Sequence, residues 1–366
     1  IVESKDYLTT ISRRKRMKTL AYYVSNMGFG HLTRSLAIIE HILAESDYSI
    51  YLACGEDQIE YSKVFLSNYL GRVTYQVVTT EVGTEIKPYT FEFDKGKTML
   101  AIDDFMKTFQ QTVDKEVERL QSMNVVQVIT DISIVGIHVA KKLGVKAIGI
   151  SNYTFYHRYK KMGLDSELIQ PFIDAYNQLD IFYELAYADD MADVTCPKEQ
   201  VGLAVRRVNQ GSSNDFKTKF WPSCFLSIGQ IANLSRIIIE FQAGHVYATG
   251  NVEIDGNSHV VKLPRRIAHS QDYVAASSLA LIKPGWSAVA ECLTAGVPFA
   301  VVDANHIEDG EITEKLIQEG RCFKLDPSEL ANLDIKELNI RMRSLVHDPL
   351  PNDAKNIALK IIEQGA

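Results

Sequence analysis

Leu20-Ala21-Tyr22-Tyr23-Val24-Ser25-Asn26-Met27-Gly28-Phe29-Gly30-His31-Leu32 joins an apolar, strand-like run to a glycine turn and then to a helical pattern over 32–43. The other half of the chain repeats the design. There Lys283-Pro284-Gly285-Trp286-Ser287 stands between the apolar run 279–282 and a helical run over 288–295. Each is a strand, a glycine turn and a helix start. A helix start presents free backbone N–H groups and a partial positive charge, so it suits an anionic ligand. Two such loops, each in its own α/β half, point to a phosphate-bearing ligand in the cleft between them.

Working outward, residues 19–151 alternate strand and helix. Strand-like runs lie at 20–24, 49–53, 73–78, 125–130 and 147–150, with helical patterns between most of them. Such alternation implies a parallel sheet with helices on both faces. Residues 80–98 are polar, hold Gly83, Pro88 and Gly96, and read as a long binding or lid loop. A helical stretch follows over 155–179, then a short strand at 181–183. Residues 186–221 read as irregular and polar. The alternation resumes with strands at 224–227, 244–249, 279–282 and 299–302. The expected fold is α/β: two Rossmann-like domains with parallel sheets facing across a cleft. The junction falls near 205–220 and divides 17–210 from 211–350. A last helix within 351–366 is expected to pack back on the first domain. Residues 1–16, with Arg13-Arg14-Lys15-Arg16, read as a disordered N-terminal extension, either of vector or upstream origin or a basic tail that touches an acidic surface.

At 366 residues the chain exceeds one ordinary core, which agrees with two domains. A net charge of −7 argues against general nucleic-acid binding. No apolar run approaches the roughly 20 residues of a bilayer span, and residues 1–16 lack the apolar stretch of a signal peptide. Peripheral membrane association stays open. Five scattered cysteines without a CxxC pair suit a reducing cytoplasm and make a zinc site unexpected.

His31 follows Gly28-Phe29-Gly30 directly, at a helix start. Glycines permit the tight turn and a close approach by a ligand. A histidine there would face the cleft with a near-neutral pKa, which suits a general base. The plainer reading is a capping or core histidine. Asp131 ends the run 125–130 at the carboxyl end of an expected parallel strand, the edge where open α/β sheets bind ligands. It could fix the tautomer of His31, or simply cap the following helix. Arg34 is either an anion ligand or a solvated helix residue. In the second loop, Lys283 brings charge, Gly285 and Trp286 the turn, and Ser287 a hydroxyl. Glu291, one helical turn on, suits ribose hydroxyls, or else compensates the helix dipole. Asp303, His306, Glu308, Asp309 and Glu311 lie after the strand 299–302 and could hold sugar hydroxyls. They lack the HExxH or EF-hand spacing of a metal site, and none is expected. Gly229, in Ser227-Ile228-Gly229-Gln230, offers a third phosphate contact. Arg206-Arg207 would face the cleft or solvate a linker.

Gly28-Phe29-Gly30-His31-Leu32-Thr33-Arg34 and Lys283-Pro284-Gly285-Trp286-Ser287-Ala288-Val289-Ala290-Glu291 resemble the two signature regions of GT-B glycosyltransferases, MurG-like family 28 in particular. The agreement in order and spacing covers about residues 17–350. A closer resemblance is to the glycosyltransferase-like N-terminal module of plant L-arabinokinases. It is carried by Ala21-Tyr22-Tyr23-Val24, Thr130-Asp131-Ile132, Ser151-Asn152-Tyr153-Thr154-Phe155 and Val205-Arg206-Arg207. The kinase half of those proteins has no counterpart here, so the resemblance does not imply a sugar kinase. It does imply a nucleotide-sugar donor, UDP-sugar first among them, as substrate and no cofactor. The second domain would bind the donor through Gly229, Lys283, Gly285, Trp286, Ser287, Glu291, Asp303, His306, Glu308, Asp309 and Glu311. The first would bind the acceptor (a glycan, lipid or small molecule) beside Asn26, Gly28, Gly30, Arg34, Asn152 and Arg206. His31 would be the base and Asp131 its partner. Two departures stand out: Glu308-Asp309-Gly310-Glu311 replaces the usual acidic-Gln donor pair, and the first glycine loop is shorter than in MurG. The alternatives on this scaffold are a nucleotide-sugar hydrolase and a binding module without catalysis.

Overall fold

In the computed structural model the described residues are 17–85, 87, 93–228, 236–250, 253–264, 267–302 and 310–365. A seven-stranded, wholly parallel sheet forms the first half, in the order β3-β2-β1-β4-β5-β6-β7. Its elements are β1 (Thr19–Val24), α1 (Gly30–Glu45), β2 (Ser49–Cys54), α2 (Glu56–Phe65), β3 (Val73–Val77), α3 (Lys95–Gln121), β4 (Val125–Asp131), α4 (Ile134–Leu143), β5 (Lys146–Ser151), α5 (Phe155–Lys161), α6 (Ser166–Tyr176), β6 (Ile181–Glu184) and β7 (Lys198–Gln200). All six residues of β1 are buried, as a central strand covered on both faces requires.

The second half starts with α7 (Gln210–Phe220), β8 (Ser223–Ser227), β9 (Arg236–Glu240), β10 (His245–Ala248), β11 (Glu253–Gly256), β12 (His259–Lys262) and α8 (Ser270–Ala276). It continues through β13 (Leu279–Ile282), α9 (Trp286–Ala295), β14 (Phe299–Val302), α10 (Gly310–Gln318), β15 (Cys322–Leu325), β16 (Leu333–Asp334), α11 (Ile335–Met342) and α12 (Ala354–Gln364). A six-stranded parallel sheet runs β12-β10-β8-β13-β14-β15, and β11-β9-β16 form a small third sheet.

Strand order reverses direction beside β1 in one sheet and beside β8 in the other. The carboxyl ends at such a switch point form a natural crevice. Val24 pairs with Asp131 across β1 and β4, and Ser227 pairs with Ile282 across β8 and β13. The register therefore sets Asp131 level with the start of the first glycine loop, and Ser227 level with the start of the second.

Helix α1 is buried along most of its length, from Leu32 to Leu43, because three bodies cover it. The first sheet lies on one side, α12 along another, and α9 crosses near its start. One continuous apolar cluster joins Leu36, Ile39 and Leu43 to Ile357 and Ile361 of α12 and to Val289 and Leu293 of α9. Ion pairs Lys355–Glu45, 2.8 Å, and Lys360–Glu199, 2.7 Å, tie α12 to the first half as well.

The chain crosses between the halves twice, and the two passages bond to each other. Leu203 forms a bridge with Asn352. Val205 N donates to Asn352 Oδ1 at 3.1 Å, and Asn352 Nδ2 donates to the Val205 carbonyl at 2.6 Å. Gly202 N donates to Asp353 Oδ2 at 2.9 Å.

Three expectations change. The stretch 155–179 is two helices, α5 and α6, separated by Gly163 at φ +68°, a conformation that glycine adopts without strain. Residues 186–221 are not wholly irregular: they hold β7 and α7. Helix α7 presents few apolar side chains, but Phe216 stacks on Tyr273 of α8 at 4.2 Å, which places it with the second sheet. Five further strands (β9, β11, β12, β15 and β16) complete the second half. The N-terminal extension 1–16 lies outside the described residues. Among the described residues, no helix is long and apolar enough to cross a membrane.

Candidate active site

The two glycine loops meet. Ser287 Oγ donates to the Gly30 carbonyl at 2.7 Å, and a Cβ added at Gly30 would sit 3.5 Å from that hydroxyl. Gly28 holds φ at +65°, so the turn before Gly30 calls for a residue that tolerates the left-handed region. Neither helix start carries a side-chain cap: the residue before α1 is Phe29 and that before α9 is Gly285. The first-turn N–H groups of α9 find no partner among the described residues. Two uncapped, partly positive helix ends thus converge on one place.

His31 stands at that convergence. Its Nδ1 lies 2.9 Å from Asp131 Oδ1, and its Nε2 lies 2.7 Å from the Tyr153 hydroxyl. Arg34 grips Asp131 with two bonds, Nε to Oδ2 at 2.7 Å and Nη2 to Oδ1 at 2.6 Å. Ser35 Oγ adds a third donor to Asp131 at 3.1 Å. Burial alone would raise the carboxyl's pKa, but Arg34 and His31 together bring it down to about 2. Asp131 is therefore ionised and can only accept. That assigns the tautomer: Nδ1–H donates to Asp131, and Nε2 accepts from Tyr153. Arg34 Nη2 also lies 2.7 Å from Nδ1, but its two hydrogens are engaged by Asp131 Oδ1 and by Ser151 Oγ at 2.9 Å. Burial and then the Arg34 charge lower the His31 pKa, against the pull of Asp131. The imidazole is held neutral.

Other polar residues of the first half serve this pair. Arg34, expected as an anion ligand, is 3% exposed and is committed to Asp131 and to the Asn152 side-chain oxygen. The correction has a simple cause: a buried guanidinium needs its own counter-ion. Asn152 is buried as the acceptor of that bond and is not an open acceptor-side group. Asn26 Nδ2 donates to the Val78 carbonyl at 3.0 Å, and its Oδ1 accepts from Thr80 N at 2.6 Å. Asn26 thereby pins the first loop to the segment after β3. Ile132 follows Asp131 at φ +58°, a strained value for a β-branched residue. Its carbonyl accepts from the Tyr176 hydroxyl at 2.8 Å.

On the second half, Lys283 is exposed, with its stem 3.5 Å from where a Gly285 Cβ would lie. Trp286 is buried; its Nε1 donates to the Ala186 carbonyl at 2.8 Å, and the Arg34 guanidinium lies 5.4 Å from its ring. Glu291 and Arg206 pair with each other, both buried. Arg206 also donates to the Tyr61 hydroxyl, to the Ala268 carbonyl at 2.7 Å and to Ser270 Oγ at 2.9 Å. Arg206 is thus a clamp between α2, α8 and α9 and not a cleft-facing phosphate ligand. Its charge is neutralised by Glu291, which in this state is engaged away from a ribose. Glu311 pairs with Lys161 of α5 and so reaches the first half. Gly229, Asp303, His306, Glu308 and Asp309 lie outside the described residues.

Two residues at this centre escape the sequence reading. Tyr153 bonds to the base, and Glu81 is buried nearby. Burial pushes the Glu81 carboxyl well above its ordinary range, and the Asp131 charge pushes the same way. Tyr153 lies two residues past the end of β5, so the rule that flags Asp131 flags it equally.

No family model matches the chain. Among curated proteins, L-arabinokinase of Arabidopsis thaliana is 20% identical over 345 residues, which covers 85% of this chain. The chain spans about a third, 31%, of that protein. Solved structures align over nearly the whole chain. Spinosyn rhamnosyltransferase SpnG gives a TM-score of 0.60 at 10% identity, covering 95% of this chain and 96% of that one. The glycotransferase of kitacinnamycin gives 0.58 at 14% identity, covering 96% and 100%. UGT2 of Phytolacca americana, complexed with UDP-2-fluoro-glucose and pterostilbene, gives 0.56 at 12% identity, covering 95% and 94%. The chain has the GT-B fold of these structures, two Rossmann-like bodies with parallel sheets.

Proposed function

We propose that this chain is a glycosyltransferase that moves a sugar from a nucleotide-diphosphate donor, a UDP-sugar first among candidates, to an acceptor hydroxyl. The observation that carries the reading is the meeting of two uncapped helix starts at a neutral, carboxylate-held histidine. The open N–H groups of α9, with Lys283 beside them, would receive the diphosphate and balance its charge as it leaves. His31 would be the base that offsets the proton lost by the acceptor hydroxyl as its oxygen attacks the anomeric carbon. Asp131 would stabilise the imidazolium that forms. No cofactor enters this scheme. The finer kinship, to MurG-like enzymes or to the arabinokinase module, belongs to the same proposal. It is supported by the two loop motifs and by the 20% relative.

Donor recognition is tested by thermal shift with UDP-, GDP- and TDP-sugars. A ligand held at 100 times its Kd stabilises the folded chain by about 2.7 kcal/mol. We expect one nucleotide class to raise the melting temperature; silence from all three would overturn the donor site. Sugar release without an acceptor, at the rate seen with one, would assign the chain to hydrolysis.

The lowered pKa of His31 sets the pH dependence. A base is active when unprotonated, and burial with Arg34 keeps His31 unprotonated below the ordinary histidine value of 6.5. The acid limb of kcat/KM is therefore expected to have its midpoint below pH 6.5. A midpoint above 6.5 would remove His31 as the base.

A further inference from the structure

The reactive nitrogen of His31 is already occupied. Tyr153 donates to Nε2 at 2.7 Å, and Asp131 holds Nδ1, so neither nitrogen is left for an acceptor hydroxyl. Either the phenol swings away or the proton passes through it. The ring is held on several sides. The Arg158 guanidinium lies 3.6 Å from its centre. His31 and Phe155 meet it edge-on at 5.4 and 5.9 Å. Its backbone N–H donates to Ser151 Oγ at 3.3 Å. Asp131 is 1% exposed, whereas His31 at 7% and Tyr153 at 8% lie equally near the surface, so the phenol is no deeper than the imidazole it covers.

We propose that Tyr153 is the residue that meets the acceptor, passing its proton to His31. This rests on the transferase reading above. As the acceptor oxygen bonds to the anomeric carbon and the bond to the diphosphate oxygen breaks, the acceptor proton moves to the Tyr153 oxygen. The phenolic proton moves in concert to His31 Nε2. The nucleoside diphosphate leaves with the electron pair of the broken bond, and the imidazolium is balanced by Asp131. Arg158 over the ring and Arg34 close by stabilise the negative charge that develops on the phenol oxygen during transfer. The imidazole thus works at one remove, through a group it holds in place.

Tyr153→Phe keeps the ring and removes the relay. Turnover should fall by at least about 100-fold, the scale of a lost acid–base group. UDP-sugar binding, followed by calorimetry on the whole chain, should match the wild type and show that the variant is folded. In mixed light and heavy water, the wild-type rate should plot as a bowed curve, because two protons move together. A purely structural tyrosine would leave one proton in flight and a straight line. Wild-type speed in Tyr153→Phe, a gain in speed, or a straight wild-type plot overturns the relay while leaving donor binding and the transferase reading intact. A wild-type chain that binds no nucleotide sugar instead removes the reading beneath it, and the relay with it.

Discussion

Asp131→Ala should destabilise the folded chain by about 3–5 kcal/mol, the usual result of leaving one member of a buried ion pair uncompensated. Arg34 is 3% exposed and holds both Asp131 oxygens. Its charge cannot leave with the carboxylate, since an arginine stays protonated. The loss is read from the midpoint of urea unfolding at constant slope. The double variant Asp131→Ala, Arg34→Met should recover a large part of it, because the stranded charge goes too. A single-variant loss on the scale of an exposed pair, below about 1 kcal/mol, would show that Arg34 finds other partners. The sign with pH follows from the depressed carboxyl. The contribution of Asp131 is fully present above its unfolded pKa of about 3.9. It is lost as pH falls through the folded value of about 2.

His31→Ala should lower kcat by about 10²- to 10⁴-fold, the range for a positioned general base, with nucleotide-sugar affinity unchanged. The split is expected because the imidazole contacts Asp131 and Tyr153 of the first half, whereas the open helix start that would hold diphosphate belongs to the second. Single-turnover transfer and equilibrium donor binding measure the two separately. Equal turnover in the variant would remove the base. A parallel loss of donor affinity would place the imidazole against the donor and not the acceptor.

Much of the architecture is legible because its signals are local. Buried parallel strands such as β1 and β13 read as unbroken apolar runs. Glycine turns mark where each enters its helix. His31 and Asp131 can be placed at one sheet edge because each follows the carboxyl end of a strand. Helix α7 is illegible for the opposite reason: of its eleven residues only Ser213 is buried, so no apolar period shows. Strand β15 carries Lys324 and is only half-buried at its centre, and β16 has two residues, so neither reads as an unbroken apolar run.

The partners of charged residues are the least legible part. Nothing near Arg206 in sequence announces Glu291, 85 residues away, and nothing near Arg34 announces Asn152. A buried charge selects its counter-ion in space, through the packing of elements whose order alone does not reveal their contacts. The sequence offers Arg34 and Arg206 as cations free to greet an anion. The fold uses both internally, and in the proposed function that task falls to the first-turn amides of α9 and the exposed Lys283.

The paired passages at 202–205 and 352–353 constrain how the halves can part. A single linker would let one half swivel freely about the other. Here two strands are stitched side by side through Asn352 and Asp353, like the two plies of a strap. Twisting would shear the stitches, whereas folding along the strap leaves them intact. An opening that kept these stitches would have to fold along the strap, like a book whose spine lies at this seam.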